Sequence, residues 1–596
     1  MDGKVAGAPA QDRQYVPAVV GETAGRASAA EGIIIPSWKR DLVLIALLAL
    51  AAVGLRTWLL VHTEVAARDS IGYIRLACKF QHRSWVETLR TAQQHPGYPL
   101  ALLALSFPVR QLSHAAEPQV MQLSAQLTSA VAGFLLVIPM YYLGRALFSR
   151  QVGFWSALLF QCLPASGRVL SDGLSEGLFL LLATSGLLAA VLALRRQAPA
   201  WFALTGLFGG LAYLIRPEGG LIIMATGVVL LAMQAWRSWR ASCWRRLLAC
   251  AACLGATTLL TCGPLVAVTG AITVKNTPHI LLKQMFAGSS FSIPTTTPLA
   301  RVGAAVPREA SHVLTMGRVG MAFPLAAWWS DRDSRQMEIV KTLQIEREWW
   351  ATKVLGIQLV RGTGYLAWFP MFLGLWWFRN LFRREPGTWV MLLLSLGLAV
   401  LLWRVAFSLG YLSERHMLLI ILCGTYWATA ALFKIAGYVL TALGWCSNRL
   451  RGGSHWWTGD PARASAVLGT VLLLGWIVAM LPKTLEPLHD NREGFRHAGM
   501  WLAEHSAPWD EIIDPYSWSH YYAGKVFFEE RPIPVPPGIT PGRYVVLELG
   551  NNEHVRLSQL REAVDLSKQG QAVARWTARR GKEKVDVVVY AVPRTQ

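Results

Sequence analysis

Long apolar runs constrain this chain more than any other feature, and the first extends from Asp41 to Val61. A helix needs about 20 largely apolar residues to cross a hydrocarbon core roughly 30 Å thick. Inside that core each backbone polar group must be satisfied within the segment, so such runs commit the chain to spanning helices. Composition agrees: 53% of the 596 residues are hydrophobic and 16% are charged, against about 25% charged in soluble domains. The fold class expected is a mainly α-helical polytopic membrane protein.

The net charge of +21 does not indicate nucleic acid as a partner. The bases sit in short clusters beside apolar runs, as in Arg237 to Arg246, the pattern of topology signals and of contacts to anionic membrane lipids. Residues 1–38 are rich in Ala, Gly and polar side chains and read as a disordered cytoplasmic tail, without the apolar core and cleavage site of a signal peptide. Cys250 and Cys253 form a CxxC inside an apolar helix, with no second pair to complete a zinc site.

Charge asymmetry orients the chain. Lys39 and Arg40 precede the first span and place the amino terminus in the cytoplasm. The run Gly97 to Val109 is short and carries Pro99 and Pro108. If it crossed, Arg145, Arg150, Arg195, Arg196 and the 237–246 bases would all lie outside; if it only dips into the outer leaflet, all lie inside. The second arrangement satisfies three independent loops. Spans then follow at 41–61, 119–143, 151–167, 173–194, 201–215, 219–236, 247–270, 359–378, 387–403, 416–433 and 464–482, about 11 in all.

The organisation expected is a transmembrane module over 39–482, with external loops at 62–118 and 271–358, followed by an external soluble α/β domain over 483–596. The loop 271–358 contains "HILLKQMF" and "REWWATKVLGIQLV", which read as helices lying on the membrane surface. The tail shows helical patterns at "REGFRHAGMWLAEH" and "VRLSQLREAV" and strand patterns at "EIID", "RYVVLEL" and "KVDVVVYAV".

This topology gathers polar span ends on the outer side: Asp69, His95, Arg168, Asp172, Glu176, Arg216, Glu218, Glu414, Arg415 and His416. Ionisable groups at membrane depth are costly and face a cavity or a partner. Spacing alone leaves plainer roles open. Asp69 reads equally well as a solvated loop acid, and Asp172 and Glu176 read as acids at the positive start of a helix. "RPEGG" (Arg216 to Gly220) reads as a turn. Arg415 and His416 at the start of a helix oppose its dipole and call for an anion.

The ordered motifs resemble the GT-C superfamily of membrane glycosyltransferases, in the branch of protein O-mannosyltransferases and lipid A aminoarabinose transferases. The motifs are "RDSIGYIRLA", "HPGYPLALLAL", "YYLGRALFSRQVGFWSALLFQCLP", "SDGLSEGLFLLL", "LAYLIRPEGGLI" and "YLSERHMLLI", together covering about 40–480. The resemblance implies a polyprenyl-phosphate sugar donor used on the external face of a plasma (inner) membrane. It implies Asp69 as general base, and Arg415, His416 and Arg216 as candidates for the donor phosphate. Tyr73 stands one helical turn from Asp69 on the same face. Two positions depart from the pattern. Ser70 stands where many relatives have a second acid, which weakens a two-carboxylate or metal-dependent reading, and Gly97 follows Pro96. No cofactor is certain, and a divalent metal is left open.

Elementary chemistry needs the same residue types. A sugar phosphate carries a leaving group that departs without protonation, so the site needs one base, unlike a glycoside hydrolase with its pair of carboxyls. Arginine suits the departing phosphate. The reading is inverting sugar transfer to a lipid, glycan or protein acceptor. A transporter or flippase of a lipid-linked or anionic substrate is the alternative, though no internal repeat is evident. A non-catalytic receptor or assembly factor is a third class.

Overall fold

The computed structural model describes residues 37–235, 244–273, 344–450, 461–549, 557–580 and 583–593. The amino-terminal tail, "HILLKQMF" and most of loop 271–358 lie outside them. In chain order the helices begin with α1 (Ser37–Val61), α2 (Arg68–His82), α3 (Trp85–Thr91), α4 (Gly97–Leu112), α5 (Glu117–Leu135), α6 (Val137–Leu147), α7 (Arg150–Cys162), α8 (Pro164–Val169) and α9 (Glu176–Arg196). They continue with α10 (Pro199–Ile215), α11 (Gly220–Ala235), α12 (Trp244–Thr269), α13 (Gln344–Gly362), α14 (Trp368–Trp377), α15 (Leu381–Arg384), α16 (Pro386–Leu409), α17 (Leu418–Leu450) and α18 (Pro461–Thr484).

Among the described residues, eight helices are long and apolar enough to cross a membrane. The other three expected spans, at 151–167, 201–215 and 359–378, are shorter or broken. Leu163 is extended and Pro164 opens a new helix, which splits 150–169 into α7 and α8. Gly364 and Tyr365 both take positive φ and interrupt the chain between α13 and α14. Apolar side chains such as Leu42, Leu47, Leu50, Val467 and Val478 remain exposed on α1 and α18, as lipid-facing surfaces do.

The charged ends segregate. At one end Asp41 binds Arg145 and also Arg150 (2.9 Å), and Tyr141 donates to it (2.7 Å). Arg195 pairs with Glu385 (2.7 Å) at the same end. The opposite end carries α2 to α4, residues 172–176, 216–218 and 413–417, and the carboxy-terminal α/β region. Both ends of helix α4 lie at this end. Its start packs on the end of α10, where a Cβ at Gly97 would lie 2.5 Å from Ile215, and its end pairs Arg110 with Glu117 (2.6 Å) at the start of α5.

The tail forms β1 (Glu511–Ile513), β2 (Arg543–Leu549), β3 (Gln571–Arg580) and β4 (Glu583–Ala591), in the order β1-β2-β4-β3. β1 is parallel to β2, and the other pairs are antiparallel. Val545 and Leu547 on β2 face Ala563 of α21 (Leu557–Ser567), whereas Val546 joins the core around Phe495 of α19 (Glu493–His505). Successive strand residues point to opposite faces, so both faces are covered and "YVVL" is apolar throughout. A short helix, α20 (Trp518–Tyr522), turns the tail back toward the membrane helices.

Candidate active site

Asp69 is the second residue of α2, and its carboxylate lies 2.5 Å from Arg415, in the short 3-10 turn Glu414–Met417 that opens α17. The pair is half open to solvent, with 46% of the Asp69 side chain and 24% of the Arg415 side chain exposed. The turn is held by a capping box in which the Ser413 amide donates to Nδ1 of His416 at 3.2 Å. His416 therefore serves the backbone through one nitrogen. Arg415 finds its anion in Asp69.

Deeper in the same place, Arg216 bridges Glu176 (2.7 Å) and Glu218 (3.1 Å), with its side chain 10% exposed and that of Glu176 5%. A buried arginine held by two carboxylates is a satisfied cation. Arg216, expected to face a phosphate, instead fixes the two acids. Glu176, read from spacing as a helix-start acid, spends one oxygen on this ion pair. Its second oxygen and the Nε of Arg415 have no hydrogen-bond partner among the described residues. Glu176, Arg216, Glu218, Arg415 and His416 line one narrow crevice.

Tyr73 donates or accepts at Ser175 Oγ (2.9 Å) and meets Tyr98 edge-on, with ring centroids 4.9 Å apart. Burial, with help from Glu176, pushes the Tyr73 phenol up to about 12, so it stays neutral. Asp172 accepts from His489 Nε2 at 2.8 and 2.9 Å, a partner from the carboxy-terminal region. Burial opposes the charged form of His489, but the Asp172 carboxylate outweighs it and raises the pKa. Arg168 pairs with Glu486 at 3.0 Å. His95 is buried, with Nε2 3.2 Å from Thr273 and its ring against Tyr213 at 5.3 Å. Among the described residues, no three His, Cys, Asp or Glu side chains converge as a metal site.

Residues 118–282 match the dolichyl-phosphate-mannose-protein mannosyltransferase family. No curated protein sequence matches the chain. Among solved structures, the apo oligosaccharyltransferase of Archaeoglobus fulgidus superposes with a TM-score of 0.50 at 13% identity, over 82% of this chain and 64% of that one. The chain has the GT-C fold. The same archaeal enzyme, AglB, with an inhibitory peptide and a dolichol-phosphate, gives a TM-score of 0.50 at 15% identity, over 82% of this chain and 64% of that one. ArnT from Cupriavidus metallidurans, bound to undecaprenyl phosphate, gives 0.49 at 13% identity, over 92% of this chain and 97% of that one. The chain thus spans about 64% of the length of the oligosaccharyltransferase it matches.

Within this GT-C fold the two departures have steric causes. Ser70 is 1% exposed, and a Cβ on Gly173, whose φ is +66°, would lie 3.1 Å from its Oγ. A second acid beside Asp69 would be a buried charge without a partner. Gly97 admits no side chain because the carbonyl of Leu214 would lie 2.8 Å from its Cβ.

Sequence reasoning missed Arg56, buried within α1, which reaches Gly167 O, Gln161 and Ser171 Oγ and props the segment leading to Asp172. An arginine inside an apolar run was itself the available signal. It also missed Trp518 and Tyr522. Trp518 Nε1 donates to Ala66 O and the Ala66 amide donates to the Tyr522 hydroxyl, both at 2.8 Å. They hold the segment that leads into α2 three residues before Asp69.

Proposed function

We propose that this chain is an inverting glycosyltransferase that moves a sugar from a polyprenyl-phosphate donor to an acceptor on the external face of the membrane. The observation that carries the reading is the Asp69–Arg415 pair, a half-exposed carboxylate held against a cation at the edge of a charged crevice. The likeness of residues 118–282 to a family named for a lipid-phosphate-linked mannose supports the donor class.

Asp69 takes the proton from the acceptor nucleophile as that atom attacks the anomeric carbon. The bond from that carbon to the phosphate oxygen breaks on the opposite side, and a single displacement inverts the centre. Arg415, whose Nε has no partner among the described residues, takes the developing charge of the departing phosphate. Approach of the phosphate draws the guanidinium from Asp69 and frees the carboxylate as the donor arrives. The open oxygen of Glu176 accepts a hydroxyl of the donor sugar. An apolar groove of about 380 Å³, lined by Leu359, Met371, Leu396, Met417, Ile420 and Trp427, adjoins His416 through Met417 and suits the first isoprene units of the lipid.

In this reading the amino terminus is cytoplasmic, the α/β region lies outside, and the compartment is a plasma (inner) membrane. The test is transfer of radiolabelled sugar from polyprenyl-phosphate sugars to an envelope extract in liposomes carrying wild type or Asp69→Asn. Transfer by wild type alone, with inverted anomeric configuration, supports the reading. Equal transfer by both, or retention, sinks it.

A further inference from the structure

A second cavity lies behind the Glu414–Met417 turn. It measures about 400 Å³ and is lined by Arg168, Arg361, Tyr365, Glu414, Lys483 and His489, among others. These come from α8, the end of α13 and the turn after it, the α17 turn, the end of α18 and the start of the α/β region. Two of its cations are already neutralised, Arg168 by Glu486 and His489 by Asp172. Two are not. Arg361 and Lys483 make no ion pair among the described residues, and the Lys483 ammonium rests over the Tyr365 ring at 5.3 Å. Tyr365 holds φ +66°, a conformation costly for a bulky residue and one that concentrates at functional sites. It sets the ring beneath Lys483 on the same turn as Arg361.

The cavity adjoins the reaction centre from two directions. Glu414 lines it, and the next residue, Arg415, holds Asp69. Asp172 also lines it, and its neighbour Gly173 packs on Ser70, the residue after Asp69.

We propose that this cavity is the acceptor's headgroup pocket and that it takes a sugar bearing a phosphate, with Arg361 and Lys483 on the phosphate and Glu414 accepting from a sugar hydroxyl. The proposal rests on the reading of Asp69 as the base. Two cations without carboxylate partners among the described residues call for an anion, and arginine with lysine matches phosphate geometry. The volume suits a monosaccharide headgroup, with any lipid or glycan extension leaving through the open side.

The experiment uses the full chain in phosphatidylcholine nanodiscs and ligand-observed NMR titration with N-acetylglucosamine 1-phosphate, N-acetylglucosamine and citronellyl phosphate. Wild type should bind the sugar phosphate at least about tenfold more tightly than the neutral sugar, the scale of one charge-assisted contact. Arg361→Gln and Lys483→Met should each remove most of that preference, while Lys483→Arg keeps it and controls for folding. Asp69→Asn should bind as wild type does. Equal binding of the two sugars, or no effect of either substitution, overturns the proposal. Competition by citronellyl phosphate through Arg361 and Lys483 assigns the pocket to the donor and overturns it as well. Failure of the base reading has a different signature: Asp69→Asn transfers sugar normally while the phosphate preference and its loss in the variants persist.

Discussion

Asp69 and Arg415, from opposite ends of the helical region, meet at 2.5 Å where α2 and α17 begin. A carboxylate this exposed gains little stability from its ion pair, about 0–1 kcal/mol. In the proposed mechanism the arrangement then serves reactivity more than folding. Asp69→Asn should lower transfer by about 10²–10⁴-fold, the range for a lost general base, and leave the unfolding temperature within a degree or two. Initial-rate assays beside thermal unfolding test this; a large drop in melting temperature would assign Asp69 a structural role.

Arg415→Met should reduce kcat by about 10²–10³-fold, as removal of a donor to a developing oxyanion does. Arg415→Lys should recover only part, because a point charge replaces a planar fork. Steady-state kinetics at saturating donor read this directly.

Arg216 behaves in the opposite way. Its removal strands the carboxylate of Glu176, whose side chain is 5% exposed, so Arg216→Met should cost about 3–5 kcal/mol. Glu176→Gln in the same chain should restore much of the loss. A double-mutant cycle by denaturant or thermal unfolding yields the coupling; simple additivity would contradict the pairing.

The His489–Asp172 contact carries a pH signature. The folded pKa of His489 lies above its ordinary 6.5 because of Asp172. Protonation then favours the docked α/β region. The contribution is complete below about pH 6.5 and is lost as pH rises through the raised folded value. Arg168 and Arg492 face the same imidazole and limit the rise. Hydrogen exchange at residues 486–505 should quicken with rising pH in wild type, and His489→Gln should flatten that dependence.

Trp518→Phe and Tyr522→Phe each leave a polar group of Ala66 without its partner, a cost of about 1–3 kcal/mol where that group is buried. Because that segment leads into α2, both should lower kcat more than they raise KM. Unchanged kcat in the doubly substituted chain would limit these residues to holding the tail.

Much of the architecture was legible because lipid imposes simple rules. Apolar length identified eight of the eleven expected spans, and the Arg145, Arg150 and Arg195 clusters led to the expectation that Gly97 to Val109 starts and ends on the same side. Strands "RYVVLEL" and "KVDVVVYAV" declared themselves because both faces of β2 and β4 are covered. β3 did not: it lies at the sheet edge, where "QAVARWTARR" tolerates arginines. The breaks at Leu163–Pro164 and Gly364–Tyr365 turn on backbone angles that apolar counting ignores.

The sequence alone determined the expectation that acids and bases from separate connections gather at one end of the spanning helices, because burying unpaired charge in hydrocarbon costs too much. Only the tertiary structure decided which of them pair. Arg216 is satisfied by Glu176 and Glu218, whereas Arg415 reaches Asp69 and keeps one donor open. Pairing depends on distances of a few ångströms between helix ends far apart in the chain, and no local pattern encodes them.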